Sequence, residues 1–147
     1  MRGLALPPGD EWQLAFRPCE KELLVDGNTE GFALIPNTIR YWYADPFLLE
    51  HNGETYVFVE AYDRVKKKGA IAWAILKNGK CTKFKECLNL PFHLSYPCVF
   101  EDNGQIFMIP ECYQSGQIAV YRAVEFPNKW NKEKCIAEIC AVDTTPL

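Results

Sequence analysis

The sequence predicts an all-β protein built from repeated antiparallel sheets. Aromatic residues, which favour strands, make up 14% of its 147 residues. Asn-Gly pairs occur at Asn52-Gly53, Asn78-Gly79 and Asn103-Gly104. This dipeptide suits the positive φ angles of the two-residue turn that joins antiparallel strands. No segment sustains the 3.6-residue periodicity of an amphipathic helix, so the remaining signals all favour strands.

Short apolar runs flank two of these turns. Each run is apolar on both of its faces, as expected for strands buried between stacked sheets. Two further candidates lie nearer the amino terminus. The predicted strands are residues 12–16, 23–25, 47–50, 55–60, 98–101 and 105–109.

An internal repeat organises these strands. Pro46 and Pro97 are each preceded by a polar residue and followed by a strand, an acidic residue and an Asn-Gly turn. Each copy continues with a third strand, at 70–76 or 117–122, and a fourth, at 82–87 or 135–142. Four antiparallel strands in a unit of about 50 residues are typical of a propeller blade.

The repeat predicts the domain organisation. Residues 1–44 form an N-terminal segment with strands of a closing or preceding blade, 45–92 the first repeat, 93–142 the second, and 143–147 the opening of a third. Propellers close with about four to eight blades. We therefore expect an incomplete propeller whose partners are further blades of a longer chain or a second copy of itself.

Antiparallel topology predicts which polar residues meet. The residue before a first strand lies at the same end of the blade as the residue that ends the second strand, which places Asp45 with Glu60 and Tyr96 with Glu111. Asp143 opens the next unit at that end. Carboxylates and aromatic rings around a funnel suit a carbohydrate ligand, because rings stack on sugar C–H faces and carboxylates accept hydroxyl hydrogen bonds. Residues expected at the same rim are Arg40, Trp42, Tyr43 and His93.

Several of these residues also have ordinary structural interpretations. Asp45 could cap a turn, because Asp-Pro favours turn initiation. Glu60 and Glu111 could be solvated or paired with arginine, and His93 could serve a structural hydrogen bond. His51 is expected in solvent at the opposite end.

Composition excludes other function classes. A net charge of -3 argues against nucleic-acid binding. Seven cysteines without a CxxC pair favour reduced thiols in a cytoplasmic protein, and with only two histidines no metal site is expected. There is no Gly-rich phosphate loop, so no cofactor is expected, and no apolar run long enough to span a membrane. The basic segment 64–69 is interpreted as a solvated connection, with contact to a phosphate or lipid headgroup as the alternative.

The stretch Tyr41-Trp42-Tyr43-Ala44-Asp45-Pro46-Phe47, followed by an Asn-Gly hairpin and Glu60, resembles the first blade of five-bladed propellers related to glycoside hydrolase family 43. Together with residues 94–97, 109–111 and 142–146, it is more similar to the N-terminal propeller of the glucosamine inositolphosphorylceramide transferase family. Bacterial formyltransferase-like proteins carry a similar domain. The likeness spans nearly the whole chain and implies a carbohydrate-related role.

The resemblance to family 43 implies residue roles only in part. Asp45 matches the general base, whereas Tyr96 stands where that family has an aspartate that tunes the acid. Asp143 lies nearest the position of the general acid, and Glu111 is an alternative acid. The favoured interpretation is therefore a sugar- or glycan-recognising domain that accompanies a transferase. The alternative is a glycosidase with Asp45 as base.

Overall fold

A computed structural model describes residues 11–18 and 30–146, and these form an all-β structure, as predicted. The only helical element in this part of the chain is one turn of 3-10 helix at Tyr113–Ser115. The strands are β1 (Leu14–Phe16), β2 (Ala33–Ile35), β3 (Tyr41–His51), β4 (Glu54–Asp63), β5 (Lys68–Lys77), β6 (Lys80–Cys81), β7 (Lys85–Leu88), β8 (Ser95–Asp102), β9 (Gln105–Glu111), β10 (Ile118–Glu125) and β11 (Lys129–Ala137).

The strands form two large antiparallel sheets and one small one. In the first sheet β3, β4 and β5 are neighbours, and both β6 and β7 pair with β5. The second sheet has the order β8-β9-β10-β11, and β1 pairs with β2. Across the described residues the sheets do not close into a ring. The predicted propeller is therefore not confirmed, although each repeat unit contributes one sheet.

The three Asn-Gly pairs are hairpin turns. They join β3 to β4, β5 to β6, and β8 to β9. Their asparagines have φ of 49–51° and their glycines φ of 70–75°, the left-handed values that a type I′ turn requires at both central residues. The sequence signal and the observed turn agree at all three places.

Each sheet begins with a distorted strand. The pairing of β3 with β4 shifts register between Ala44 and Phe47, and that of β8 with β9 shifts between Ser95 and Cys98. The X-Pro dipeptide sits in both irregularities, because proline cannot donate a ladder hydrogen bond and is tolerated at bulges. Asp45 and Tyr96 therefore lie inside their strands rather than before them, which corrects the predicted boundaries.

Two cores hold the sheets together. The larger lies between the two main sheets and contains fully buried Phe58, Ile71, Leu94 and Met108. The smaller lies on the other face of the first sheet, where Leu14 and other residues of the β1–β2 pair cover β4 and β5. The predicted fully apolar strands are thus explained, because the central strands of the first sheet are covered on both faces.

The fourth strands differ most from prediction. The expected strand at 82–87 is split into β6 and β7. The expected strand at 135–142 is instead β11, which starts at Lys129 because Trp130 packs into the larger core. Of the N-terminal candidates, 12–16 is observed as β1, whereas 23–25 lies outside the described residues.

The cysteines in the described part of the chain are free thiols. Cys98 and Cys112 are buried as small apolar residues, as expected. A search of the described residues finds no helix with the length and apolar character needed to cross a membrane.

Candidate functional site

His93 joins the two sheets at the end where β4 finishes. Its Nε2 lies 3.2 Å from Oε1 of Glu60, and its Nδ1 accepts the Gly69 N–H at 3.0 Å. Because Nδ1 is an acceptor, the neutral ring carries its proton on Nε2, the nitrogen nearer the carboxylate. The Leu94 N–H in turn donates to the Gly69 carbonyl at 3.1 Å.

Glu60 is a buried carboxylate. It lies opposite Ala44 in the β3–β4 ladder and is only 5% exposed. Its Oε1 has no hydrogen bond of good geometry, so the close approach of the His93 ring is the contact that compensates the removal of this carboxylate from water. Burial is therefore explained by a specific partner rather than by solvation or arginine pairing.

Gly69 makes this arrangement possible. A Cβ at that position would lie 2.7 Å from the Glu60 carboxylate and 2.9 Å from the His93 ring. It would also lie 2.4 Å from the carbonyl oxygen of Leu94. The close approach of β5 to the His93 segment thus requires a residue without a side chain.

The charges around His93 act on its pKa. The hydrogen bond with Glu60 raises the pKa above the ordinary histidine value, burial acts against this, and the charges of Glu111 and Asp45 add to the rise. The Gly69 amide favours the neutral ring, because protonation of Nδ1 would break its hydrogen bond. Carboxylates from both sheets therefore act on one imidazole.

A second contact pattern recurs along the chain. The Asp45 carboxylate accepts the Tyr96 N–H at 3.1 Å, and the Glu111 carboxylate accepts the Asp143 N–H at 3.2 Å. The residues Asp45, Tyr96 and Asp143 have positive φ of 50°, 43° and 49°. Strained non-glycine backbone of this kind persists only where surrounding contacts hold it, and such positions cluster at functional sites.

Glu111 has a perturbed acidity. Its burial raises the pKa of the carboxyl, and the nearby negative charge of Asp143 adds to the rise, although the Asp143 amide lowers it. Thr145, two residues beyond Asp143, lies with its hydroxyl 3.0 Å from the Tyr96 hydroxyl. The segment 143–145 is thus tied to both β8 and β9.

A cavity of about 330 Å³ opens among these groups and is lined by His93, Glu111, Tyr113, Gln114 and Val142. The side-chain oxygen of Gln114 accepts a hydrogen bond from the backbone N–H of His93 at 3.1 Å. The Tyr113 ring is 53% exposed at the rim. Sequence reasoning did not name Tyr113 or Gln114 as site residues, although Tyr113 aligns with Tyr62 in the repeat.

Three predicted rim residues lie elsewhere. Arg40 pairs with Asp63 at 2.8 Å. Tyr43 is buried in the smaller core against Phe84, because alternation along β3 turns it to the opposite face. The Trp42 ring stacks on the Tyr62 ring, with the two ring centroids 4.6 Å apart, and does not line the cavity.

His51 differs from expectation. It is half-buried rather than solvated, with Nδ1 3.4 Å from Glu101 and its ring against Phe126. It is the last residue of β3, next to the Asn52-Gly53 turn and at the opposite end of the strand from Tyr41. Among residues 11–18 and 30–146, no three His, Cys, Asp or Glu side chains are placed to hold a metal ion.

Comparison with known proteins identifies the family. The family model described as glucosamine inositolphosphorylceramide transferase 1, N-terminal, matches residues 36–147. This range contains both main sheets and the whole cavity. The chain belongs to this N-terminal domain family.

Individual relatives agree with this assignment. Glucosamine inositolphosphorylceramide transferase 1 of Arabidopsis thaliana is 39% identical over 104 residues, which cover 69% of this chain and 14% of that protein. Its namesakes from the indica and japonica subspecies of Oryza sativa are each 30% identical over 145 residues, covering 90% of this chain and 20% of the relative. The chain thus spans a fifth or less of these proteins.

No solved structure matches this member of the transferase N-terminal domain family. The resemblance to that family is confirmed. The five-bladed propeller and the likeness to glycoside hydrolase family 43 receive no support from these comparisons.

Proposed function

We propose that this chain is a sugar-recognising domain that accompanies a transferase. Membership of the glucosamine inositolphosphorylceramide transferase N-terminal family supports the transferase context. The observation that carries sugar recognition is the cavity in which Glu111, His93 and Gln114 lie beside the exposed Tyr113 ring. A pocket with a few converging polar groups and a perturbed carboxyl is the best candidate for a ligand site.

The lining has the chemistry that a pyranose needs. Carboxylate and amide oxygens of Glu111 and Gln114 can accept hydrogen bonds from hydroxyls. The Tyr113 ring offers a face to the C–H side of the sugar. His93 is held in place by Glu60 and Gly69, so little ordering of the site is needed when a ligand binds.

The carboxylates favour an amino sugar over a neutral one. Glu111 lines the cavity, Asp143 is hydrogen-bonded to it through its backbone N–H, and the charges of Asp45 and Glu60 act on His93. An ammonium group would be attracted by this excess of negative charge. Glucosamine also stands in the name of the relatives, so glucosamine is the first probe to use.

Calorimetric titration of the chain with glucosamine, N-acetylglucosamine and glucose tests the proposal. We expect glucosamine to bind most tightly, because acetylation removes the charge. Glu111→Gln and Tyr113→Ala should each weaken binding about tenfold. Glu125→Gln, at the far end of β10, is the matched control and should have no effect. Absence of binding by all three sugars would reject the proposal.

Hydrolysis is the second candidate, with Asp45 as base and Glu111 or Asp143 as acid. The raised pKa of Glu111 favours it, because a general acid must hold its proton near neutral pH. Against it, the Asp45 carboxylate is engaged by the Tyr96 amide. Release of p-nitrophenol from aryl glycosides, lost in Asp45→Asn, would favour hydrolysis over recognition.

A further inference from the structure

Two neighbouring loop tips expose isolated aliphatic side chains. Ile39, just before β3, is 100% exposed, and Val65, in the turn between β4 and β5, is 78% exposed. Neither side chain belongs to either core. Singly exposed apolar residues are ordinary on a protein surface, but these two are the most exposed large apolar side chains of the described residues and lie on adjacent tips.

Arg64 ties the two tips together. The Arg64 guanidinium donates to the backbone carbonyls of Thr38 and Ile39, the latter at 3.0 Å. The backbone N–H of Arg64 donates to the Arg40 carbonyl, also at 3.0 Å. The same guanidinium pairs with Glu11 at 2.7 Å. The two tips are therefore presented side by side as one surface.

Asp63 fixes the shape of the second tip. Its carboxylate accepts the amides of Val65 at 2.9 Å and Lys66 at 3.1 Å, and it is paired with Arg40. The hydrogen bond from Arg40 lowers the pKa of Asp63 to about 2, so the carboxylate stays ionised. Val65 therefore points outward from an ordered turn.

Cations surround the aliphatic tips. Lys66 and Lys67 are exposed and make no ion pair within the described residues. The cations at the two tips are Arg40, Arg64, Lys66 and Lys67, and the carboxylates that face them are Glu11, Asp63 and Glu86. Arg40 and Arg64 are paired with Asp63 and Glu11, so Lys66 and Lys67 carry the unpaired charge of the two tips, which are locally basic although the whole chain has a net charge of -3.

We propose that the tips at 38–40 and 64–67, named here the docking tips, bind the surface of an anionic lipid bilayer. Ile39 and Val65 enter the boundary between headgroups and acyl chains, and Lys66 and Lys67 meet the headgroup phosphates. Interfacial binding of this kind combines buried apolar area with attraction to anionic lipids. A small aliphatic pair ringed by lysines fits this partner better than a protein interface, whose core is larger and poor in lysine.

The second of the docking tips lies close, along the chain, to Glu60 of the His93–Glu60 pair. Strand β4 runs into the second tip, and Glu60 lies three residues before Asp63 on that strand. The docking tips and the His93–Glu60 pair are therefore at the same end of the first sheet. Docking would bring this end toward the headgroups, whether or not the cavity binds sugar.

Vesicle co-sedimentation tests the proposal. The probes are vesicles of phosphatidylcholine alone and vesicles with about 30% phosphatidylserine. The charge variant is Lys66→Gln with Lys67→Asn, in which asparagine tolerates the φ of 51° at position 67. The apolar variant is Ile39→Ser with Val65→Ser.

Matched controls lie on the edge strand β11, far along the second sheet. Lys129→Gln with Lys134→Gln removes the same charge, and Ile136→Ser removes an aliphatic side chain that is 51% exposed. Circular dichroism melts of each variant separate lost binding from lost folding. Inorganic phosphate at millimolar concentration is included as a competitor.

We expect binding to the anionic vesicles only, weakened by 0.5 M salt. Each lysine should contribute about fivefold, so the charge variant should bind more than tenfold more weakly, and the apolar variant at least fivefold more weakly. Equal binding by the docking-tip variants and the controls would overturn the proposal. So would absence of binding, or competition by inorganic phosphate, which would indicate a free-anion site.

Discussion

The backbone N–H of Tyr96 donates to the carboxylate of Asp45, 51 residues earlier, and so connects the first strands of the two main sheets. The same relation recurs where the Asp143 amide meets Glu111. In each case the donor has a positive φ. A charge-assisted hydrogen bond offsets that backbone cost, because it is worth about 1.5–3 kcal/mol and the left-handed conformation costs about 1–2 kcal/mol.

Replacing Asp45 tests this link energetically. Asp45→Ala loses the acceptor and should lower the free energy of unfolding by about 1.5–3 kcal/mol in urea titrations. Asp45→Asn keeps an acceptor oxygen, and asparagine tolerates a positive φ. Its free energy of unfolding should therefore fall by well under half as much as that of Asp45→Ala. Equal losses for the two variants would show that the hydrogen bond to Tyr96 contributes little.

Gly69→Ala should be among the most disruptive single-methyl additions. The new Cβ would clash with the Leu94 carbonyl, which is backbone and cannot move aside easily. Overpacking of this kind costs about 1–3 kcal/mol. Gly104→Ala is the matched control. A Cβ at position 104 would meet no other atom within 4 Å, so this variant carries only the backbone strain of a φ of 74°. Denaturant titrations of the two variants should show the larger loss at Gly69.

The pH dependence of the free energy of unfolding should reflect the ionisation of the Asp63 carboxyl. Its pKa is lowered from the ordinary aspartate value to about 2 in the folded chain, chiefly by the hydrogen bond from Arg40. A lowered pKa stabilises the fold above the unfolded pKa, and that contribution is lost as the pH falls through about 4 to 2. Thermal melts of the wild type should therefore show a steeper loss over this range than melts of Asp63→Asn. Parallel curves would contradict the assignment.

Histidine titration by NMR tests the His93–Glu60 pair. Glu60 raises the pKa of His93, so Glu60→Gln should lower it, and the resonance of His51 serves as an internal reference. A raised pKa stabilises the fold fully below the unfolded value near 6.5, and this contribution is lost as the pH rises through the folded value. Glu60→Gln should flatten that part of the stability curve. An unchanged His93 titration would show that the pair is not formed.

Local rules predicted much of this structure. The Asn-Gly turns require positive φ whatever surrounds them, so sequence alone locates them. The X-Pro repeat predicted matching first strands, and antiparallel geometry predicted that Asp45 and Glu60 would lie at one end. Each of these inferences depends on residues close in sequence or related by the repeat.

Tertiary partners could not be predicted in the same way. The burial of Tyr43 depends on the β1–β2 pair covering that face of the first sheet. Arg40 is expected at the rim because it falls just before a first strand, and its pairing with Asp63 is not foreseen because Asp63 lies 23 residues away and carries no repeat signal. The role of Gly69 depends on the close approach of the His93 segment, which no local pattern indicates.

The most direct test of the account is an amide NMR titration of the chain with glucosamine. The largest shifts are expected at the backbone amides of His93, Tyr113, Gln114 and Asp143, and they should disappear in Glu111→Gln. Shifts confined to another surface, or an unchanged spectrum at millimolar sugar, would contradict the claim that Glu111 and its neighbours in the cavity form a sugar site.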